Sequence, residues 1–137
     1  MTFRTNRFLA AALLGGCIAL LAAVPAFASS TKTVTTAVNV SLNKSNEFQF
    51  VLSKSTVPHG VVKFTFTNNG NLPHDFKLCS SSTGGAATAC TGKVTPMITP
   101  GNKATLTVSL TKPGKYEYLC TVSGHAAAGM KGLVTVK

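Results

Sequence analysis

Carboxylates are the scarcest functional group in this chain: of 137 residues, only Glu47, Asp75 and Glu117 are acidic. They are far apart in sequence, so the paired carboxylates that general acid–base chemistry uses are not supplied. Tryptophan is absent, and arginine is missing after Arg7, which leaves the lysines scattered singly. Without arginine to read base edges and without a basic cluster, the sequence excludes nucleic-acid recognition as a function. It contains no glycine-rich phosphate loop, no Ser–His–Asp pattern, no internal repeat and, beyond the N-terminal segment, no helical period of useful length.

The N-terminal segment is of a different kind. Arg4 and Arg7 precede an uncharged apolar run from Phe8 to Val24, and Ala26-Phe27-Ala28 follows as a small-residue cleavage pattern. This reads as a secretory signal peptide over residues 1–28, cut after Ala28. An uncleaved membrane anchor is a competing reading, because the run is near the lower limit for spanning a bilayer. A lipoprotein acceptor at Cys17, after Leu14-Gly15-Gly16, is a third. With cleavage, residues 29–137 form one exported domain, periplasmic or secreted, with no stable membrane insertion. Its charge is strongly positive, which serves solubility or steers the domain toward an acidic partner.

Cleavage leaves three cysteines: Cys79, Cys90 and Cys120. An odd count in an exported chain calls for an account of the unpaired one. Cys79 and Cys90 flank the flexible stretch SSSTGGAATA, which lets them meet, and an oxidising compartment lets the bridge persist. Closing so short a loop stabilises the fold by roughly 2.8 kcal/mol in the chain-entropy treatment. Cys120 is left over, and a free thiol in that setting needs a protected role.

Apolar residues alternate with polar ones in a series of short runs: Val34, Val38, Val40 and Leu42; Phe48, Phe50 and Leu52; Val62, Phe64 and Phe66; Leu106, Val108 and Leu110. KYEYLCTV and GLVTV end the chain, and PHG, NNGN, TPGN and KPGK punctuate the runs as turns. The pattern predicts antiparallel sheets with one face buried. About seven to eight such strands close as an all-β Greek-key β-sandwich or barrel.

Parity then selects side chains. Tyr116, Tyr118, Cys120 and Val122 share one face of their run, and its aromatic content marks it as the core face. His74 shares a face with Phe76 and Leu78. Cys120 and His74 are therefore expected to point inward at strand ends, where they can meet at one pole. His125 and Met130, on the loop that leaves Cys120, can fold over the same pole. Each residue taken singly has a plain structural reading as buried thiol, core histidine or packing methionine. Together, one thiolate, two imidazoles and one thioether are the ligand set of a blue-copper electron-transfer centre. His59 and Met97 are assigned no role: a turn residue and a packing or surface side chain.

The segment PGKYEYLCTVSGHAAAGMKGLVTV resembles the C-terminal copper-binding segment of the cupredoxins, the plastocyanin and azurin family. NNGNLPHDFKL resembles the upstream segment that carries the family's first histidine. The resemblance is strong over the last 25 or so residues and weaker over the rest of residues 29–137. It implies a Greek-key sandwich and one type 1 copper, with His74, Cys120 and His125 as equatorial ligands and Met130 as the axial one. Four residues separate Cys120 from His125 and four more separate His125 from Met130, a spacing similar to the longer ligand loops of the family.

Two features depart from the family pattern. Asp75 follows the first histidine where Asn or Ser is common, and the Cys79–Cys90 pair is not general. The binuclear copper site of oxidase subunits would require a second cysteine in the ligand loop, and Ser123 and Gly124 supply none. The implied function is electron carriage between redox proteins, with an acidic cytochrome or oxidase as partner, rather than enzyme catalysis. A copper-binding module for storage, sensing or delivery uses the same ligands and is the alternative.

Overall fold

A computed structural model describes residues 34–80 and 90–137. The expected signal segment, residues 1–28, and most of the stretch between Cys79 and Cys90 lie outside the described residues. The described chain forms nine strands: β1 (Thr35–Asn43), β2 (Asn46–Leu52), β3 (Thr56–Val57), β4 (Gly60–Thr67), β5 (Lys77–Cys79), β6 (Gly92–Val94), β7 (Lys103–Leu110), β8 (Gly114–Leu119) and β9 (Lys131–Val136). One sheet has the order β2-β1-β4-β7 and the other β3-β9-β8-β5-β6. The architecture is the expected all-β sandwich, with one or two more strands than the alternating runs suggest. The additional ones are short: β3 has two residues, and β5 and β6 have three each.

The expectation of purely antiparallel sheets is corrected at two places. β1 pairs with β4 in parallel, and β3 pairs with β9 in parallel. The reason is topological. After β2 turns back on β1, the chain crosses to the other sheet as β3 and returns as β4 on the free side of β1, running the same way. Alternation of side chains reports which face is buried, not which neighbour a strand chooses.

The alternation itself holds almost throughout. Val38, Val40, Leu42, Val62, Phe64, Phe66, Leu106, Val108 and Leu110 face inward from the first sheet, and Phe76, Leu78, Tyr116, Val134 and Val136 face them from the second. Val34 is the exception. It has the right parity but precedes β1 and is 79% exposed. At the centre Phe50 meets the edges of Phe66, Phe76 and Tyr118 at ring-centroid distances of 5.4, 5.2 and 5.9 Å, and Phe76 stacks on Tyr118 at 5.6 Å. Such pairs add about 0.5–1.5 kcal/mol each beyond their buried area. They fix the strands on which the pole of the sandwich is built.

β8 is covered on both faces. Tyr116 points into the main core, while Glu117 and Leu119 are also buried on the opposite side. There Leu119 packs with Cys79, Cys90 and Ala126 in a second small cluster. Cys79 and Cys90 are disulfide-bonded with Cα atoms 5.6 Å apart, so the bridge roofs this cluster and ties the end of β5 to the start of the β6 segment. Replacing both cysteines by alanine is expected to lower unfolding stability by about 2–3 kcal/mol. It should leave the expected ligand set on the far side of β8 in place. Urea unfolding of the double variant beside the parent checks the first point, and the visible spectrum checks the second.

Candidate metal centre

His74 lies just before β5 and belongs to no named strand. It is held by a two-bond bridge to Ile98: its amide donates to the Ile98 carbonyl at 3.1 Å and its carbonyl accepts from the Ile98 amide at 2.8 Å. Asn68 secures the loop before it by donating from its side chain to the carbonyls of Leu72 (2.8 Å) and Ile98 (2.7 Å). His74 is completely buried. A short loop, fixed at both ends, thus delivers one imidazole to the pole.

Cys120 follows the last residue of β8 and is buried. Its amide donates to the Met130 carbonyl at 3.0 Å, which closes the intervening loop at its base. Within the loop, His125 donates to the Val122 carbonyl (3.1 Å), Ala128 to that of Gly124 (2.9 Å) and Met130 to that of His125 (3.0 Å). These turn-type bonds satisfy a backbone that has no sheet partner. The turns need left-handed residues at Gly124 (φ 83°) and Gly129 (φ 112°), where glycine carries no Cβ penalty. Ala126 is buried against Leu119 and Cys79, so the loop is pinned from behind as well as at its base.

These supports bring three donor atoms together. His74 Nδ1 and His125 Nδ1 are 3.1 Å apart, and Cys120 Sγ lies 3.9 Å from the first and 3.6 Å from the second. Nitrogens and a sulfur at these separations can share one small cation, since metal–nitrogen and metal–thiolate bonds run about 2.0 and 2.3 Å. Met130 is fully buried in the main core at the foot of the same loop. Phe48 sets its ring edge against His125 at 5.0 Å and against His74 at 6.4 Å, closing the apolar side. All four residues singled out from the sequence stand at one pole. His59 lies elsewhere, its Nδ1 near the Lys137 carbonyl, and Met97 is half exposed.

Electrostatics suit a cation-binding site. Burial pushes the Cys120 thiol up to about 11, so without metal it holds its proton at neutral pH. Burial, with His74 adding to it, holds the His125 imidazole below its ordinary value, so that ring is neutral and free to donate a lone pair. Two carboxylates flank the cluster. Asp75, itself buried, accepts from the Thr121 amide at 2.7 Å and from the Thr121 hydroxyl. It thereby joins the segment after His74 to the residue after Cys120. Glu47 of β2 accepts from the amides of Asn71 (2.8 Å) and Leu72 (3.1 Å). The Asn71 amide, with those of Leu72 and the His74 ring, holds the Glu47 carboxyl below the usual carboxylate range. Sequence reasoning marked Asp75 as unusual but passed over Glu47, Phe48 and Thr121.

A second group of donors, Cys79, Cys90 and Glu117, lies within 4.8 Å on the other face of β8. Its two sulfurs are joined to each other, so they offer no thiolate for a metal.

A two-sheet β-sandwich with histidine, cysteine and histidine converging at one pole, and methionine closing the loop, defines a small copper-binding protein of the cupredoxin class. The chain belongs to the plastocyanin/azurin family of copper-binding proteins, whose sequence profile matches residues 36–137. It is 38% identical over 88 residues to plastocyanin A/B of Petroselinum crispum, covering 64% of this chain and 86% of that one. It is also 45% identical over 42 residues to auracyanin-B of Chloroflexus aurantiacus, covering 31% of this chain but only 18% of that longer protein. Among solved structures, reduced auracyanin from Roseiflexus castenholzii superposes with a TM-score of 0.62 at 26% identity, covering 77% of this chain and 99% of that one. Rusticyanin from Thiobacillus ferrooxidans superposes at 0.56 with 25% identity, over 75% of this chain and 77% of that one.

Proposed function

We propose that this protein is an exported carrier of single electrons. One type 1 copper would be held by His74, Cys120 and His125, with Met130 supplying a fourth, weaker thioether ligand. The observation that carries the reading is the convergence of two imidazole Nδ1 atoms and one thiol sulfur at one pole of the sandwich. Bound there, copper would supply a one-electron Cu(I)/Cu(II) couple. The protein's own part is to keep the donors fixed by hydrogen bonds on both loops, so that little rearranges as an electron arrives or leaves. Membership of a family that includes plastocyanin supports carriage over storage or delivery, which needs no such rigid site.

Export by residues 1–28 places the working domain in the periplasm or outside the cell. Among the described residues no helix is long and apolar enough to cross a membrane. The loop over the site exposes Ala127, Ala128 and Gly129 and carries no charged side chain, which permits close docking without desolvating ions. The lysines act at longer range. With an acidic cytochrome as partner, stopped-flow rates should fall as ionic strength rises while the visible spectrum stays constant. Fast reduction by a donor and reoxidation by an acceptor are the expected result. Copper that binds but exchanges no electrons on a millisecond-to-second scale would favour storage or delivery, and a rate that climbs with salt would point to a basic partner.

A further inference from the structure

The His74 ring has two nitrogens, and only one faces the cluster. Nδ1 points toward His125 and Cys120, while Nε2 faces Glu47 Oε2 at 3.5 Å. That oxygen is not there by chance. It is fixed by the Asn71 and Leu72 amides, which belong to the loop that delivers His74. The same loop leaves room for it: a Cβ at Gly70 would lie 2.5 Å from Glu47 Oε2 and 2.8 Å from Leu42 Cδ1, so a side chain there would expel the carboxylate. Asn69 completes the joint, accepting from the Leu42 amide at 2.7 Å and donating to the Leu42 carbonyl at 3.2 Å. The β1–β2 hairpin therefore grips the His74 loop at several points, and Glu47 is the point that touches the ring. In a chain with three acids, two stand at this pole, and both oxygens of the other, Asp75, are engaged by Thr121.

Metal-bound histidines commonly donate the far ring N–H to a carboxylate, which fixes tautomer and orientation and makes the ligand more basic. We infer that Glu47 is a positioning residue for the copper centre: it accepts the Nε2 proton of His74, keeps Nδ1 bare for the metal, and biases the centre toward the more highly charged, oxidised ion. Glu47 touches neither copper nor an electron-transfer partner and acts through His74. This inference rests on the copper-carrier reading above.

Glu47→Gln tests it, because the amide oxygen can still accept from Asn71 and Leu72 while the charge is gone. Losing the carboxylate behind a ligating histidine costs roughly tenfold or more in metal affinity. A tenfold loss for Cu(II) that spares Cu(I) raises the one-electron potential by about 59 mV. The expected result is a normal blue band with an upward-shifted potential, read by redox titration. An unmoved potential with the band intact overturns the role of Glu47 alone. A parent protein that takes up copper without any blue band overturns the reading beneath it, and the two failures are distinct. A second measurement needs neither variant nor metal. Nitrogen-15 NMR of the metal-free parent should show His74 as the Nε2–H tautomer, and an Nδ1–H tautomer would overturn the inference.

Discussion

Cys120→Ser will remove the intense visible absorption of the Cu(II)-loaded protein altogether and leave the fold standing. A thiolate gives electron density to Cu(II) at low energy, and an alkoxide or alcohol does not, so colour follows this one atom. Cys120 is buried and stands within 3.9 Å of both imidazole nitrogens, and no other free cysteine occurs among the described residues. The exchange of sulfur for oxygen is small in volume, and the Cys120 amide still pairs with Met130, so circular dichroism and thermal unfolding should shift little. A variant that kept the band would show that the thiolate comes from elsewhere. The same thiol links metal uptake to pH. Held at about 11 by burial, its proton must leave when a metal–thiolate bond forms. Copper uptake at pH 7 should therefore release about one proton, visible with an indicator dye in weak buffer, and apparent affinity should rise with pH up to that value. Cys120→Ser should abolish this release as well.

Most of this centre was legible in the sequence because it rests on local rules. Period-two alternation gave the inward faces of β1, β4 and β7, and the order of Cys120, His125 and Met130 in one short loop gave the ligands. Three things were not legible, each for a physical reason. Parallel pairing of β1 with β4 depends on where the chain crosses between sheets, and alternation carries no record of that. Burial of Glu117 and Leu119 contradicts a one-face reading of β8; it arises because the Cys79–Cys90 bridge and Ala126 cover the second face. Glu47 is 27 residues from His74, and the two meet only because a hairpin folds onto a loop. A usable signal existed all the same. An acid beside Phe48 and Phe50 in a chain this poor in acids is an expensive choice, and scarcity points to a partner.

Asp75 offers the sharpest separation of structure from redox tuning. Its carboxylate holds the Thr121 amide and hydroxyl, which joins the two ligand-bearing segments directly. Asp75→Ala leaves those donors without their acceptor and opens a small void, at a cost of about 1–3 kcal/mol. It also frees the segment after Cys120 from the segment after His74. Urea unfolding should show the loss, and the copper signal in electron paramagnetic resonance should broaden as the ligands gain freedom. Asp75→Asn behaves differently. The amide oxygen still accepts from the Thr121 N–H, and the amide NH2 can donate to the Thr121 hydroxyl, so stability should fall by less than about 1 kcal/mol. What disappears is a negative charge close to the metal. An anion there favours the higher-charged Cu(II), so its removal should raise the potential. A tenfold change in the relative binding of the two oxidation states corresponds to about 59 mV, and redox titration resolves shifts of that size. If Asp75→Asn unfolds as readily as Asp75→Ala, the charge itself holds the loops together. If its potential matches the parent, Asp75 serves only to fasten Thr121, and the electrostatic bias of the centre falls to Glu47.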